Sequence, residues 1–127
     1  MYAVGVSDHI MIAHSLQGET FGPAQRLHGA TYEVRIEIQA PALDADSIVV
    51  DIGLLRTALR ETLAPLEYQN LDELPLLAGA NTTTEFLCHW IHTALAQRLG
   101  ARPDVQLQVT LVESPNAWAR YQGPLTG

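Results

Sequence analysis

Hydrophobic and polar residues alternate without interruption from position 28 to position 39. One face of this segment carries His28, Ala30, Tyr32, Val34, Ile36 and Ile38, and the other carries Thr31, Glu33, Arg35, Glu37 and Gln39. A period of two residues over this length predicts a β-strand with one buried and one solvated face. Because the buried face begins with a histidine, the start of this strand is a first candidate for a functional site.

Three further segments have strand character. Residues 3–16 place Val4, Val6, Ile10, Ile12 and His14 on one face. Residues 105–113 do the same with Val105, Leu107, Val109, Leu111 and Glu113, and residues 118–121 predict a short last strand. Residues 17–23 contain two glycines and a proline and predict a loop, so the first two strands are expected to form an antiparallel hairpin.

Two segments carry apolar residues at helical spacing. In the first, Ile52, Leu55, Leu59 and Leu63 share a face, and Pro65 ends the helix. In the second, the inner face consists of Leu87, Ile91, Ala94 or Leu95, and Leu99, and Gly100 ends the helix. Residues 66–80, between the two helices, have no clear period and predict a long, partly ordered loop.

The second helix opens with Asn81-Thr82-Thr83-Thr84-Glu85. Thr82 and Glu85 have the spacing of a capping box, in which the hydroxyl and the carboxylate bind free amides at the helix start. The same hydroxyls and amides would also suit an acceptor-rich ring or an anion. The sequence leaves both interpretations open.

The element order is strand, strand, helix, helix, strand, strand. It predicts a single α+β domain over residues 1–127, with a four-stranded antiparallel sheet covered on one face by two helices. In a chain of this size such a sheet leaves two long edges open, so we expect homo-oligomerisation through paired edges.

The amino-acid composition argues against several classes of binding partner and cellular location. Seven Lys and Arg against fourteen Asp and Glu give a formal net charge of −7, which argues against nucleic acid or an anionic membrane as a partner. Residues 1–5 lack the features of a secretory signal, and no apolar run is long enough to span a bilayer. Cys88 has no partner for an internal disulfide. We therefore expect a cytoplasmic protein.

His14 and His28 fall on the apolar faces of neighbouring predicted strands and could share a metal ion. The alternative is that each is a core histidine that donates to a carbonyl group. A zinc site needs three or four ligands, but the next position on the same face after His28 is Ala30. The sequence therefore predicts neither a tightly bound metal nor a cofactor.

Glu113 continues the apolar face of its strand although it is a carboxylate. A buried charge costs several kcal/mol unless it is paired. Either the strand has left the core by this point, or Glu113 serves a ligand. Elsewhere, His89 and His92 are expected on the polar face of the second helix, and Cys88 is expected to be buried.

Five short motifs, in order, resemble those of the 6-pyruvoyl-tetrahydropterin synthase and 6-carboxy-tetrahydropterin synthase family. They are Ala13-His14-Ser15-Leu16, His28-Gly29-Ala30-Thr31-Tyr32, Ile48-Val49-Val50-Asp51-Ile52, Asn81-Thr82-Thr83-Thr84-Glu85 and Val112-Glu113-Ser114-Pro115. The resemblance implies a tunnelling fold, in which subunits join edge to edge into an oligomeric barrel, in most members a hexamer of two stacked trimers. It also implies a pterin pocket, in which Glu113 accepts two N–H bonds and Thr83 and Thr84 contact the ring.

Most of the residues that the family uses for zinc binding and catalysis are replaced in this chain. Its three zinc histidines correspond to His14, His28 and Ala30, its cysteine to Ala24, and its loop Asp-His pair to Glu67 and Tyr68. The resemblance therefore implies a degenerate member that lacks the zinc and catalytic residues. We expect a pterin-like small molecule to bind through Glu113, Thr83 and Thr84, with His14 and His28 as polar lining.

Two alternatives remain. One is an enzyme with zinc-independent chemistry on a pterin or related cyclic substrate, with His14, His28, Glu67 and Tyr68 as acids and bases. The other is an assembly subunit whose pocket binds nothing.

Overall fold

The alternating segments form the four strands of one antiparallel sheet, and the helical segments form two helices between the hairpins. The computed structural model describes residues 1–126. Its principal elements are β1 (Tyr2–His14), β2 (His28–Ala40), α1 (Ile52–Leu63), α2 (Thr84–Leu99), β3 (Arg102–Ser114) and β4 (Ala117–Leu125). The predicted α+β class and order are therefore confirmed, although the last strand is longer than expected.

The strands lie in the order β1-β2-β3-β4, and every neighbouring pair is antiparallel. The register aligns the apolar faces, since Ile10 lies opposite Tyr32 and Val34 lies opposite Leu111. It also places His14 opposite His28, at the end of the first hairpin. The helices cover this apolar face, and the other face carries mostly polar side chains.

Helix α1 begins where Asp51 accepts a hydrogen bond from the backbone N–H of Gly53, at 2.9 Å. Leu55, Leu59 and Leu63 are buried as predicted, but Ile52 in the first turn is 45% exposed. The first turn therefore extends past the edge of the core.

Helix α2 begins one residue later than its capping pattern predicts. Thr83, not Thr82, is the N-cap, and its hydroxyl accepts from Phe86 N at 3.1 Å. The helix ends at Gly100 as expected. Cys88 is buried as predicted, but the placement of His92 on a polar face is wrong, because this residue is only 6% exposed.

The segment between the helices is more ordered than its aperiodic sequence indicates. It contains two short 3₁₀ turns, Leu71–Glu73 and Pro75–Leu77, and buries Leu66. Tyr68 N donates to Met11 O at 2.7 Å, and Ala13 N donates to Gln69 O at 3.0 Å. This segment therefore covers the last part of the β1 edge and leaves the first part open.

Neither α1 nor α2 has the length and apolar character needed to cross a membrane, and no other helix of residues 1–126 has them.

Candidate functional site

Two histidine rings meet at the end of the β1–β2 hairpin. Their centres are 4.6 Å apart and their planes are inclined by 62°. His28 Nδ1 lies 2.8 Å from the backbone oxygen of Arg26. Because a carbonyl oxygen only accepts, the Nδ1 atom of His28 carries the proton, and Nε2 keeps a lone pair when the ring is neutral.

His14 is the more buried of the two, at 3% exposure. Its Nδ1 atom lies 3.0 Å from Thr82 Oγ1, in a hydrogen bond between β1 and the segment before α2. Burial lowers the pKa of His14, and the neighbouring His28 lowers it further. His14 is therefore held in its neutral form more strongly than a free histidine.

The three consecutive threonines before and at the start of α2 have three different contacts. Thr82 bonds to His14, Thr83 caps the helix, and Thr84 Oγ1 donates a long hydrogen bond of 3.5 Å to Glu113 Oε2. The capping box predicted for Thr82 is wrong, because the hydroxyl of Thr82 faces the imidazole. The run thus joins the histidine pair to the carboxylate.

Glu113 lies at an irregularity in the β3–β4 pairing. Val112 lies opposite Trp118 and Ser114 lies opposite Ala117, so β3 has one extra residue at this point. A β-bulge of this kind redirects a side chain and often lies beside a functional site. Glu113 is exposed, so the strand has left the core here, yet its side chain also lines a cavity.

That cavity has a volume of about 340 Å³. All five residues that the sequence predicts for a site line it: His14, His28, Thr83, Thr84 and Glu113. Leu16, Phe21 and Ala24 form an apolar wall. A small concave site with an apolar wall and a few converging polar groups is typical of small-molecule binding.

Tyr32 contributes a polar group to the same cavity, although its ring belongs to the core and is 1% exposed. Burial raises the pKa of Tyr32, and a hydrogen bond with Thr84 opposes this change. The phenol therefore stays protonated as a donor. The alternation identified Tyr32 as a core residue only.

A third metal ligand is missing beside the histidines. Ala30 presents a methyl group, and residues 1–126 contain no group of three His, Cys, Asp or Glu side chains arranged to hold a metal ion. Two imidazoles do not fit the three or four ligands that zinc requires. The donor set therefore does not fit the zinc that the resemblance implies.

Cys88 lies apart from the cavity. Its Sγ atom lies 3.4 Å from the backbone oxygen of Ala119, and burial raises the pKa of the thiol to about 11. The thiol is therefore protonated at neutral pH, and Cys88 does not line the cavity of His14 and His28.

The structure does not bring Glu67 and Tyr68 into this cavity. Glu67 pairs with Arg60 at 3.5 Å, and Tyr68 is 75% exposed with a φ of 56°. Within one chain neither residue lines the cavity, so the alternative in which both act there as acids and bases stays a prediction.

Two residues that the sequence did not single out individually hold the loop after His14. Asp72 Oδ2 accepts from the N–H and the hydroxyl of Ser15, at 3.0 and 2.6 Å. The side chain of Asn81 accepts from Gln17 N and donates to Gln17 O, both at 3.0 Å. Asn81 was visible as part of a motif, whereas no sequence signal distinguished Asp72.

Comparison with known proteins identifies the family and the fold. The family model described as 6-pyruvoyl tetrahydropterin synthase matches residues 3–124. Among solved structures, the 6-pyruvoyl tetrahydropterin synthase of Caenorhabditis elegans is similar at 20% identity and a TM-score of 0.86, covering 96% of this chain and 95% of that chain. The enzyme of Plasmodium vivax is 17% identical with a TM-score of 0.78, covering 98% and 99%. That of Plasmodium falciparum is 15% identical with a TM-score of 0.76, covering 96% and 98%. The tunnelling fold is thereby confirmed.

Proposed function

The chain belongs to the 6-pyruvoyl tetrahydropterin synthase family, and from this premise we propose that it binds a pterin-like ring without performing the zinc-dependent synthase reaction. The observation that carries the proposal is one cavity that unites Glu113 and Thr84 with His14 and His28. Ala30, two residues after His28 on the same strand face, has no lone pair to serve as a third ligand.

Glu113 is the anchor for the ring. A carboxylate that accepts two parallel N–H bonds from an aminopyrimidine edge gives both affinity and orientation. The bulge in β3 leaves Glu113 without an opposite residue in β4, and Thr84 restrains one of its carboxylate oxygens. Thr83 and Thr84 line the same cavity and would complete the contacts with the ring.

The apolar part of the cavity lining suits an uncharged substituent. Leu16, Phe21 and Ala24 offer an apolar surface, and the Nε2 lone pair of His28 can accept from a hydroxyl group. A pterin with a short hydroxylated side chain matches both features, because its carbon atoms pack on the wall while a hydroxyl bonds to the imidazole.

The replaced residues support loss of the synthase chemistry. In the family, zinc polarises the substrate side chain and a cysteine moves protons. Here Ala30 and Ala24 stand at two of those positions, and Tyr68 replaces the loop histidine outside the cavity. Ala30 and Ala24 each remove a lone pair and a proton carrier, and Tyr68 replaces the imidazole by a phenol.

Oligomerisation forms part of the proposal. The strands β1 and β4 are the sheet edges, and the β1 edge is covered by the chain itself only near Met11 and Ala13. Pairing of β1 with β4 of another copy would satisfy both edges. We propose a homo-oligomer, as a hexamer of two trimers, in the cytoplasm. A neighbouring copy would then cover the exposed side of Glu113.

A second candidate is an enzyme that uses the histidine pair as acid and base without metal. The observation that favours it is the cavity itself, which holds one histidine with a fixed proton and one whose pKa is lowered. Turnover of a dihydroneopterin-type substrate that persists with chelator and disappears in His28→Ala would establish this function instead.

The experiment that tests pterin binding is calorimetric titration of neopterin and biopterin into wild-type protein, Glu113→Ala and Glu73→Ala. Glu73 is an exposed carboxylate outside the cavity, so its variant controls for the loss of one negative charge. We expect binding by wild type and Glu73→Ala, and at least a tenfold loss in Glu113→Ala. Equal and negligible binding in all three would contradict the proposal.

A further inference from the structure

The open face of the sheet carries a groove of about 680 Å³, on the side away from the helices. Two rows of facing residues cross this face: His9, Glu33, Val112 and Trp118 form one, and Ser7, Arg35, Thr110 and Arg120 form the next. The groove lies behind the sheet from the histidine pair, and only Glu113, at the end of β3, lines both.

The two arginines of the groove differ in their partners. Arg35 is neutralised, since its Nε and Nη2 atoms donate to the two carboxylate oxygens of Glu33 at 2.9 and 3.0 Å. Arg120 donates from Nε to Thr110 Oγ1 at 3.2 Å. Among the ion pairs of residues 1–126, none includes Arg120.

The surroundings of Arg120 leave a donor pair available beside an aromatic surface. Thr110 binds Nε, so Nη1 and Nη2 remain as two parallel donors, the geometry that matches a carboxylate. The guanidinium carbon lies 4.8 Å from the centre of the Trp118 ring, and Trp118 is 59% exposed. An indole held beside a cation offers a stacking surface for a second planar ring.

We propose that this groove is a second ligand site, which binds a small aromatic carboxylate through the donor pair of Arg120 and the ring of Trp118. The groove favours a ligand that has both a carboxylate, for Arg120, and an aromatic ring, for Trp118. A ring without charge would leave the Arg120 donors unmatched, and an anion without a ring would leave Trp118 exposed. The acidic Glu113 at the rim favours the orientation in which the carboxylate points toward Arg120.

The test uses fluorescence of Trp118 in the full chain. Trp90→Phe removes the other tryptophan, and benzoate, benzamide and inorganic phosphate are titrated in turn. We expect a saturable change with benzoate, and affinities at least tenfold weaker for benzamide and phosphate. Equal affinity for benzoate and either control probe, or no saturation by benzoate up to about 50 mM, would overturn the proposal.

Variants locate the site. Arg120→Gln should weaken benzoate binding at least tenfold, whereas Arg56→Gln, which removes an exposed arginine of α1 outside the groove, should leave it unchanged. Thermal unfolding of each variant shows whether it is folded. If Arg120→Gln does not fold, the comparison of benzoate, benzamide and phosphate in the Trp90→Phe chain tests the proposal by itself. Unchanged binding in folded Arg120→Gln would overturn the proposal. An equal loss in Arg56→Gln would also overturn it, because the effect would then follow the net charge of the chain and not the groove.

Discussion

The Nδ1 atom of His14 lies 3.0 Å from the Oγ1 atom of Thr82, a residue 68 positions away in the sequence. This contact joins the end of β1 to the segment that precedes α2. It also explains the start of the helix, because the hydroxyl of Thr82 is engaged by the imidazole and the next threonine provides the cap. One long-range hydrogen bond thus shapes both the fold and the candidate site.

Replacing Thr82 by valine should destabilise the protein by about 1–3 kcal/mol, because the buried ring nitrogen of His14 loses its partner while the volume is preserved. The measurement is urea unfolding. Thr93→Val is the control, since Thr93 is an exposed residue that bonds only to the carbonyl of its own helix, and its effect should be within about 0.5 kcal/mol. Equal losses in the two variants would contradict the role of this contact.

Acid should destabilise the fold through His14. Its folded pKa lies below its unfolded value of about 6.5, so below that pH the unfolded chain binds more protons. The free energy of unfolding should therefore fall as pH drops from 6.5 toward the folded pKa. Urea unfolding at pH 7.5 and 5.5 should show a smaller fall in His14→Gln than in wild type. The same fall in both would assign the pH dependence to other groups, such as His92.

Ala30→His should create a zinc site. The new imidazole would join His14 and His28 as the third ligand on the same strand face, the minimum for a protein zinc centre. Elemental analysis after purification without added metal should give about one zinc per chain in the variant and far less in the wild type. About one zinc per chain in the wild type would show that an additional ligand completes the pair.

Cys88 should resist modification in the native protein. The thiol is buried, and its pKa of about 11 keeps it protonated at neutral pH. A thiol-specific reagent at pH 8 should label the native chain far more slowly than the urea-unfolded chain. Rapid labelling of the native protein would mean that the region between α2 and β4 opens readily.

Much of the fold follows from the sequence, because the strands alternate over long stretches and the helices bury regular stripes. The site residues Thr83, Thr84 and Glu113 were also identifiable as motif members. Two features of the site could not be predicted from the sequence. The start of α2 depends on His14, which is distant in sequence. Because its imidazole binds Thr82, the next threonine, Thr83, caps the helix. The exposure of Glu113 depends on a β-bulge that interrupts the alternation, and neither effect is local.

The central claim is that Glu113 anchors a pterin-like ring in the cavity of His14 and His28. A crystal structure of the protein with neopterin tests it most directly. We expect the aminopyrimidine edge within about 3 Å of both Glu113 carboxylate oxygens, with the substituent directed toward the histidines. A ring bound elsewhere, or an empty cavity at a saturating neopterin concentration, would contradict the account.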